Sequence, residues 1–333
     1  MIASEDGLAP LVAQWEPAVT DSFLRAVKDI RDQVVLARLE AEIRNGDVEA
    51  ALQEVGLGPE RFHPLDAALT AAFVAGAATT LLTVNRVRKS GAPVAFNVRA
   101  YSVDAWVREN NGRLISDVAN DQRAMARSVL VQAVRDRASP RETALDLIGR
   151  RHTATGRREA GLVGLSSAQL TWVRNYEADL EGVPKASALT RSLREPRFDR
   201  VVRAAIEAKA PLPAATRKAM VGAYRNRALR QRVIQIAEME ASKVLHQAQI
   251  AAAGQAIAAG VIDATQVRRF WVHMNDSRVR PTHRLIPALN KDGVGIDEMF
   301  LTPDGPTLYP PFGMGCRCRV RIGVSAKTAR LAA

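Results

Sequence analysis

The sequence predicts an α+β protein: a predominantly α-helical body with one β-hairpin, closed by a small mixed α/β domain near the carboxy-terminal end. Three observations carry this. Apolar residues recur at helical spacing over 11–56 and again over 96–135. One hairpin signal, Thr155-Gly156, sits inside 150–165. The stretch 271–321 gathers turn residues, both cysteines and a period-two run. A chain of 333 residues, 47% hydrophobic, has material for two or three packed units. The expected division is an amino-terminal helical region (1–90), a central helical domain (91–265), a closing domain (266–323) and a tail (324–333).

Leu11, Val12, Trp15, Val19, Phe23, Leu24, Val27 and Ile30 make an amphipathic stripe, and Asn45-Gly46-Asp47 breaks it before a second helix. The segment from Met1 to Glu60 holds five basic against twelve acidic residues. Its acidic face is either solvated or a docking surface for a basic partner. Ala67 to Val84 carries no charge and is long enough for a membrane span. Ala, Thr and Gly dominate it, so a closely packed helix is expected, with entry into a membrane as the alternative. Arg86 to Lys89 and Gly91-Ala92-Pro93 read as a linker.

Phe96 to Arg113 and Leu114 to Arg135 read as helices, with Leu114, Ile115, Val118, Met125, Val129, Leu130 and Val134 on one stripe. Ser139-Pro140-Arg141-Glu142 has the cap, first-turn proline and acidic third position of a helix start. After the hairpin, whose apolar arm is expected at Leu162-Val163-Gly164-Leu165, Ser166 caps a helix through Trp172 and Tyr176. The hairpin's arginines and histidine make it either a solvated loop or an arm toward DNA or a neighbouring subunit.

From Lys185 to Arg232 thirteen basic residues stand against three acidic. Arg191, Arg194, Arg197, Arg200 and Arg203 recur every third residue, interrupted by Glu195-Pro196; Arg225, Arg227, Arg230 and Arg232 line a later helix. Such arrays hold phosphates without reading bases. Only Phe198 and Tyr224 are interleaved, too few to stack a single strand, so duplex DNA is the expected partner. Solvated faces and salt bridges between subunits are the competing reading. An Ala-rich helix then runs from Glu240 to Gly260, and Asp263 caps the next turn.

In the closing stretch Phe270-Trp271-Val272 begins apolar, Asp276-Ser277-Arg278 is a turn, and Pro281 starts a short helix through Thr282 and His283. Met299-Phe300-Leu301 is a short strand candidate between the Lys291-Asp292-Gly293 and Pro303-Asp304-Gly305 turns. Period two puts Cys316, Cys318, Val320 and Ile322 on one strand face and the arginines on the other. Thiols two apart on one face bridge poorly. They are inert buried thiols, or they join His283 in a zinc site with Asp276 or His273 as fourth ligand. A third possibility is an acid-base or phosphate-handling set of Asp276, Arg280 and His283.

Composition narrows the class. A net charge of +12 and pI near 10.3 suit a polyanionic neighbour. Two cysteines in one motif suit a reducing cytosol during folding. The first residues lack the basic start, apolar core and cleavage site of a signal peptide. No repeat, phosphate-binding glycine loop, nucleophile elbow or paired-carboxylate arrangement stands out.

The order and spacing of Trp271, Asp276, Arg278, Arg280, His283, Phe300, Pro311, Cys316, Arg317 and Cys318 resemble the carboxy-terminal domain of tailed-phage head morphogenesis proteins, the family of the phage Mu F protein and its minor-capsid relatives. Counting the similar runs upstream, the resemblance extends over roughly residues 95 to 320. It implies a minor capsid protein, not an enzyme, at the portal or inner capsid of a virion, made in the host cytoplasm and part of a multi-copy assembly. Its expected partners are portal or major capsid protein and packaged double-stranded DNA, with no stable membrane association and no cofactor beyond the zinc already considered. The alternative is a phage-borne nuclease or toxin enzyme using Asp276, Arg280 and His283.

Overall fold

The computed structural model describes residues 8–87, 92–311 and 315–324. The middle of the expected linker (88–91), residues 312–314 and the tail from Ser325 to Ala333 lie outside these, as do residues 1–7, where a signal peptide would begin; Arg86 and Val87, expected in the linker, are helical. The fold is α+β and mostly helical, with two small antiparallel sheets. The chain forms two compact units, one from 1–22, 65–112 and 234–333, the other from 23–64 and 113–233.

The opening amphipathic segment makes three helices rather than two: α1 (Ala9–Gln33), α2 (Leu36–Asn45) and α3 (Val48–Val55). The expected break holds, with Gly46 at φ 75° ending α2 and the Asp47 carboxylate accepting the Ala50 N–H to start α3. The unforeseen break is at Val34-Val35, where the chain turns extended and Val35 is left exposed.

Next comes α4 (His63–Val87). The stretch 48–86 has the length and apolar composition of a membrane span. In the fold α4 buries Leu65, Leu69, Ala72, Phe73, Ala77 and Leu81. A Cβ at Gly76 would stand 2.8 Å from Leu245 and 3.2 Å from Ala248, so the missing side chain is what lets two helices approach. Close packing, the first of the two expectations for this segment, fits that geometry.

A single helix α5 (Tyr101–Arg135) replaces the two expected over 96–135. Residues 96–100 stay outside it, and the Asn97 main chain exchanges hydrogen bonds with the Gln255 amide at 2.8 and 2.9 Å. α6 (Pro140–Ile148) starts as predicted, on the Ser139 hydroxyl and with Pro140 in its first turn. The hairpin is shorter than predicted: β1 (Arg150–Arg151) pairs only with β2 (Arg158–Glu159). Leu162, Val163 and Leu165 are not a strand arm. They are buried in a turn whose carbonyls are held by buried Arg31, with Nε 3.1 Å from Val163 O and Nη2 2.8 Å from Gly161 O. α7 (Ser167–Asp179) begins with a full capping box of Ser166 and Gln169.

The basic belt runs through a loop and a 3₁₀ turn into α8 (Asp199–Glu207), and then into the 45-residue α9 (Ala214–Ala258). The closing segment adds β3 (Val267–Val272), α10 (Pro281–Leu289) and β4 (Arg319–Val324). β3 and β4 are antiparallel, with Val267 opposite Val324 and Val272 opposite Arg319. Met299-Phe300-Leu301 makes a single bridge, Phe300 to Thr307, rather than a strand. Phe300 alone of the three is buried.

Candidate functional site

The closing segment builds its own core from Trp271, Ile286, Val294, Phe300, Cys316, Cys318 and Val320, with Tyr309 packed against it. β3 alternates as a half-buried strand should, with Val267, Arg269 and Trp271 inward. β4 begins at Arg319, three residues later than the period-two run suggested, yet Cys316 and Cys318 in the lead-in are buried as expected. Arg319 departs from the expected pattern. It is buried, with Nη1 2.9 Å from Cys318 O and Nη2 3.9 Å from Glu238.

His283 sits in the first turn of α10, where Pro281 fixes the start and Arg280 is the cap. Its Nδ1 lies 3.6 Å from Cys316 Sγ and 3.5 Å from Cys318 Sγ, and the three donor atoms all fall within 4.8 Å of one another. Nε2 on the far side of the ring is 3.9 Å from Asp304 Oδ2. Trp271 packs its ring at 89° to the imidazole, with centroids 6.4 Å apart. The two cysteines are not joined to each other. The Cys316 sulfur and burial push the Cys318 thiol up.

Arg317, between the cysteines, places Nη2 2.7 Å from both carboxylate oxygens of Asp276. Asp276 also accepts the Arg278 N–H at 3.0 Å, and the Arg317 hydrogen bond holds its carboxyl below the usual range. Among the described residues the metal-capable group is His283, Cys316 and Cys318. Neither Asp276 nor His273, the two fourth ligands considered, belongs to it. The His273 Nδ1 lies 3.3 Å from the neighbouring Met274 carbonyl. A small cleft lined by Arg278, Val279, Arg280, His283, Gly315, Cys316, Arg317 and Cys318 opens beside the group.

Three residues that brace this module were not singled out from the sequence. Arg269 is fully buried on the inward face of β3. Its guanidinium donates to three main-chain carbonyls, with Nε 2.9 Å from Gly295 O, Nη1 2.6 Å from Leu308 O, and Nη2 on Glu298 O. It also lies over the Phe300 ring at 5.2 Å. Burial lowers it to about 10, so it stays charged at neutral pH. The run Val-Arg-Arg-Phe-Trp-Val puts one arginine in each phase of the strand, so the sequence alone does not mark which is inward.

His246 in α9 accepts the Val320 N–H at 2.9 Å and stacks near Tyr309. Burial first, then Arg319 and Arg269, push its ring down to about 3. Asn290 bonds Ile286 O, Leu301 O and the Leu301 N–H at 2.8–2.9 Å, fixing the end of α10 to the Phe300 segment.

The belt residues divide into two sets. Arg191 pairs with Asp179 and Arg194 with Asp199, while Arg225 reaches both Asp146 and Glu177. Arg197, Arg200, Arg203 and Arg230 are exposed. Tyr224 is buried in a stack with Tyr176, centroids 4.5 Å apart, which takes it out of any base-stacking role.

Residues 213–321, about a third of the chain, match the family model for phage Mu protein F like proteins. The match takes in the carboxy-terminal part of the resemblance, from the residue before α9 into β4. A stretch of 62 residues is 40% identical to an uncharacterized protein of Methanocaldococcus jannaschii. It covers 17% of this chain and 9% of that protein, so the chain spans under a tenth of that relative's length. No solved structure matches the chain.

Proposed function

We propose, from the Mu F-like match over 213–321, that this chain is a minor head protein of a tailed bacteriophage, acting in head morphogenesis as a structural component. In this reading it docks at the portal or the inner capsid and belongs to the virion. The single observation that carries the reading is the match itself. The matched residues include the helix that supplies His246 and Glu238 and most of the sheet these two contact.

A structural role accords with how the conspicuous residues are used. Asp276 is committed to Arg317, and His283 is enclosed by two sulfurs and an aromatic ring. These arrangements stiffen a fold. They lend no support to a nuclease or toxin built on Asp276, Arg280 and His283.

Contact with packaged DNA is part of the same proposal. The exposed set Arg197, Arg200, Arg203 and Arg230 can approach phosphates, Arg203 despite a solvent-exposed 3.9 Å contact with Asp199, whereas the less exposed Arg191, Arg194 and Arg225 are held by closer carboxylate partners. Binding through such a set is indifferent to base sequence and weakens as log salt rises, with a slope of about −0.9 for each phosphate neutralised.

The test is fractionation of particles carrying the chain. It is expected to sediment with heads through a high-salt wash, and recovery only in the unassembled fraction rejects the assembly role. For the DNA part, changing the four exposed arginines to Glu is expected to abolish duplex binding at low salt while leaving sedimentation with heads intact.

A further inference from the structure

We infer that His283, Cys316 and Cys318 form a zinc site with three protein ligands and a fourth position open to solvent. This goes beyond the assembly role and does not depend on it. The geometry is the first argument. Zinc sits about 2.3 Å from sulfur and about 2.0–2.1 Å from imidazole nitrogen in a tetrahedron, which sets each S···N edge at about 3.5–3.6 Å. The two edges here are 3.6 and 3.5 Å.

The donor set is the second argument. Two thiolates and one neutral imidazole suit zinc, and the resulting centre is neutral, so burying the three ligands leaves no unpaired charge. All three ligands are buried. They come from different places in the chain, one from the first turn of α10 and two from the lead-in to β4. The ion would cross-link these elements.

Metal-bound imidazoles commonly direct their second nitrogen to a carboxylate, and Asp304, 3.9 Å from His283 Nε2, is near enough to close on it when the ion binds. Arg317, between the two cysteines, is tied to Asp276 at 2.7 Å, which anchors the segment that carries both sulfurs. The fourth coordination position faces the cleft bordered by Arg278, Arg280 and Gly315. An exchangeable solvent oxygen would take it.

The alternative is a cluster of thiols hydrogen-bonded to an imidazole with no ion. Full-length protein prepared with zinc present and thiols reduced decides between them. Stoichiometric zinc by elemental analysis, a fall in Tm on chelation and its recovery on adding zinc are expected.

Cys316→Ser or Cys318→Ser alone could unfold the module, so the second measurement uses the unaltered chain. After chelation, cobalt(II) is expected to give thiolate-to-metal charge-transfer bands and tetrahedral d–d bands. Zinc should bleach both, and azide should shift the d–d bands by taking the open position. A folded, reduced chain that binds neither zinc nor cobalt overturns the site; cobalt bands indifferent to azide overturn the open position.

Discussion

The Nε2 atom of His246 accepts the Val320 amide N–H at 2.9 Å, so a buried imidazole on α9 closes the free edge of β4. The bond needs the neutral ring. Around it stand Ser242, with its hydroxyl 3.4 Å from Nδ1, and the charges of Arg319 and Arg269.

That dependence sets a pH response. The folded ring is held down to about 3, whereas an unfolded histidine titrates near about 6.5. Below the unfolded value the unfolded chain binds the extra proton. The stabilisation is therefore full above about pH 6.5 and is lost as pH falls toward 3. Between about pH 7 and pH 5 the loss should be about 2 kcal/mol, and His246→Gln, which keeps an acceptor but cannot titrate, should flatten it. Urea melts of both proteins at the two pH values measure the difference.

Arg269 offers a test of main-chain bracing. Arg269→Met removes the donors while leaving three part-buried carbonyls, at up to about 1–3 kcal/mol for each one that water does not reach. Arg269→Lys can serve only some of them, so denaturant midpoints should rank native, Lys, Met. Equal midpoints for the native protein and Arg269→Met would show that the carbonyls find other partners.

Gly164 tests the turn that follows the hairpin. It has φ 101°, its N–H meets Gln122 Oε1 at 3.0 Å, and a Cβ would come within 2.8 Å of both Leu229 and Val27. Gly164→Ala should cost about 2 kcal/mol through backbone strain and crowding together. Calorimetric unfolding of the purified variant reads this directly.

Gly76 tests whether α4 is a packed core helix. Gly76→Leu would overfill the contact with Leu245 and Ala248 and should destabilise by about 1–3 kcal/mol. Leu82, exposed on the same helix, can be changed to Gln with little effect if that face meets water. Marked destabilisation by Leu82→Gln would mean that another surface covers it.

Local signals were legible. Ser139 with Pro140, Ser166 with Gln169 and Asp47 after Gly46 each specify a boundary through a hydrogen bond within four residues, and each lies where the sequence puts it. That His283 could join the cysteines was one of the readings left open by donor chemistry. Its geometry was not in the sequence, nor was the pairing of Asp276 with Arg317 across 41 residues.

Long-range partners account for most of what stayed hidden. Arg269 resembles any surface arginine until its three carbonyls are known, and His246 looks like an incidental polar residue in an Ala-rich helix. Half the belt was misleading for the same reason, since spacing cannot show that Asp146 and Glu177 converge on Arg225. Nor does any change in composition mark residues 22, 112 and 233, where α1, α5 and α9 pass from one compact unit to the other.

Because Arg269 grips oxygens that every amino acid carries, the clamp itself places no demand on the side chains of the positions supplying them. Leu308 can be exchanged for other residues while the clamp persists, whereas the Glu298 carboxylate also accepts the Gly295 N–H. The outer loops of this module are therefore open to drift or to redesign for a new neighbour, provided that the one cation beneath them is kept.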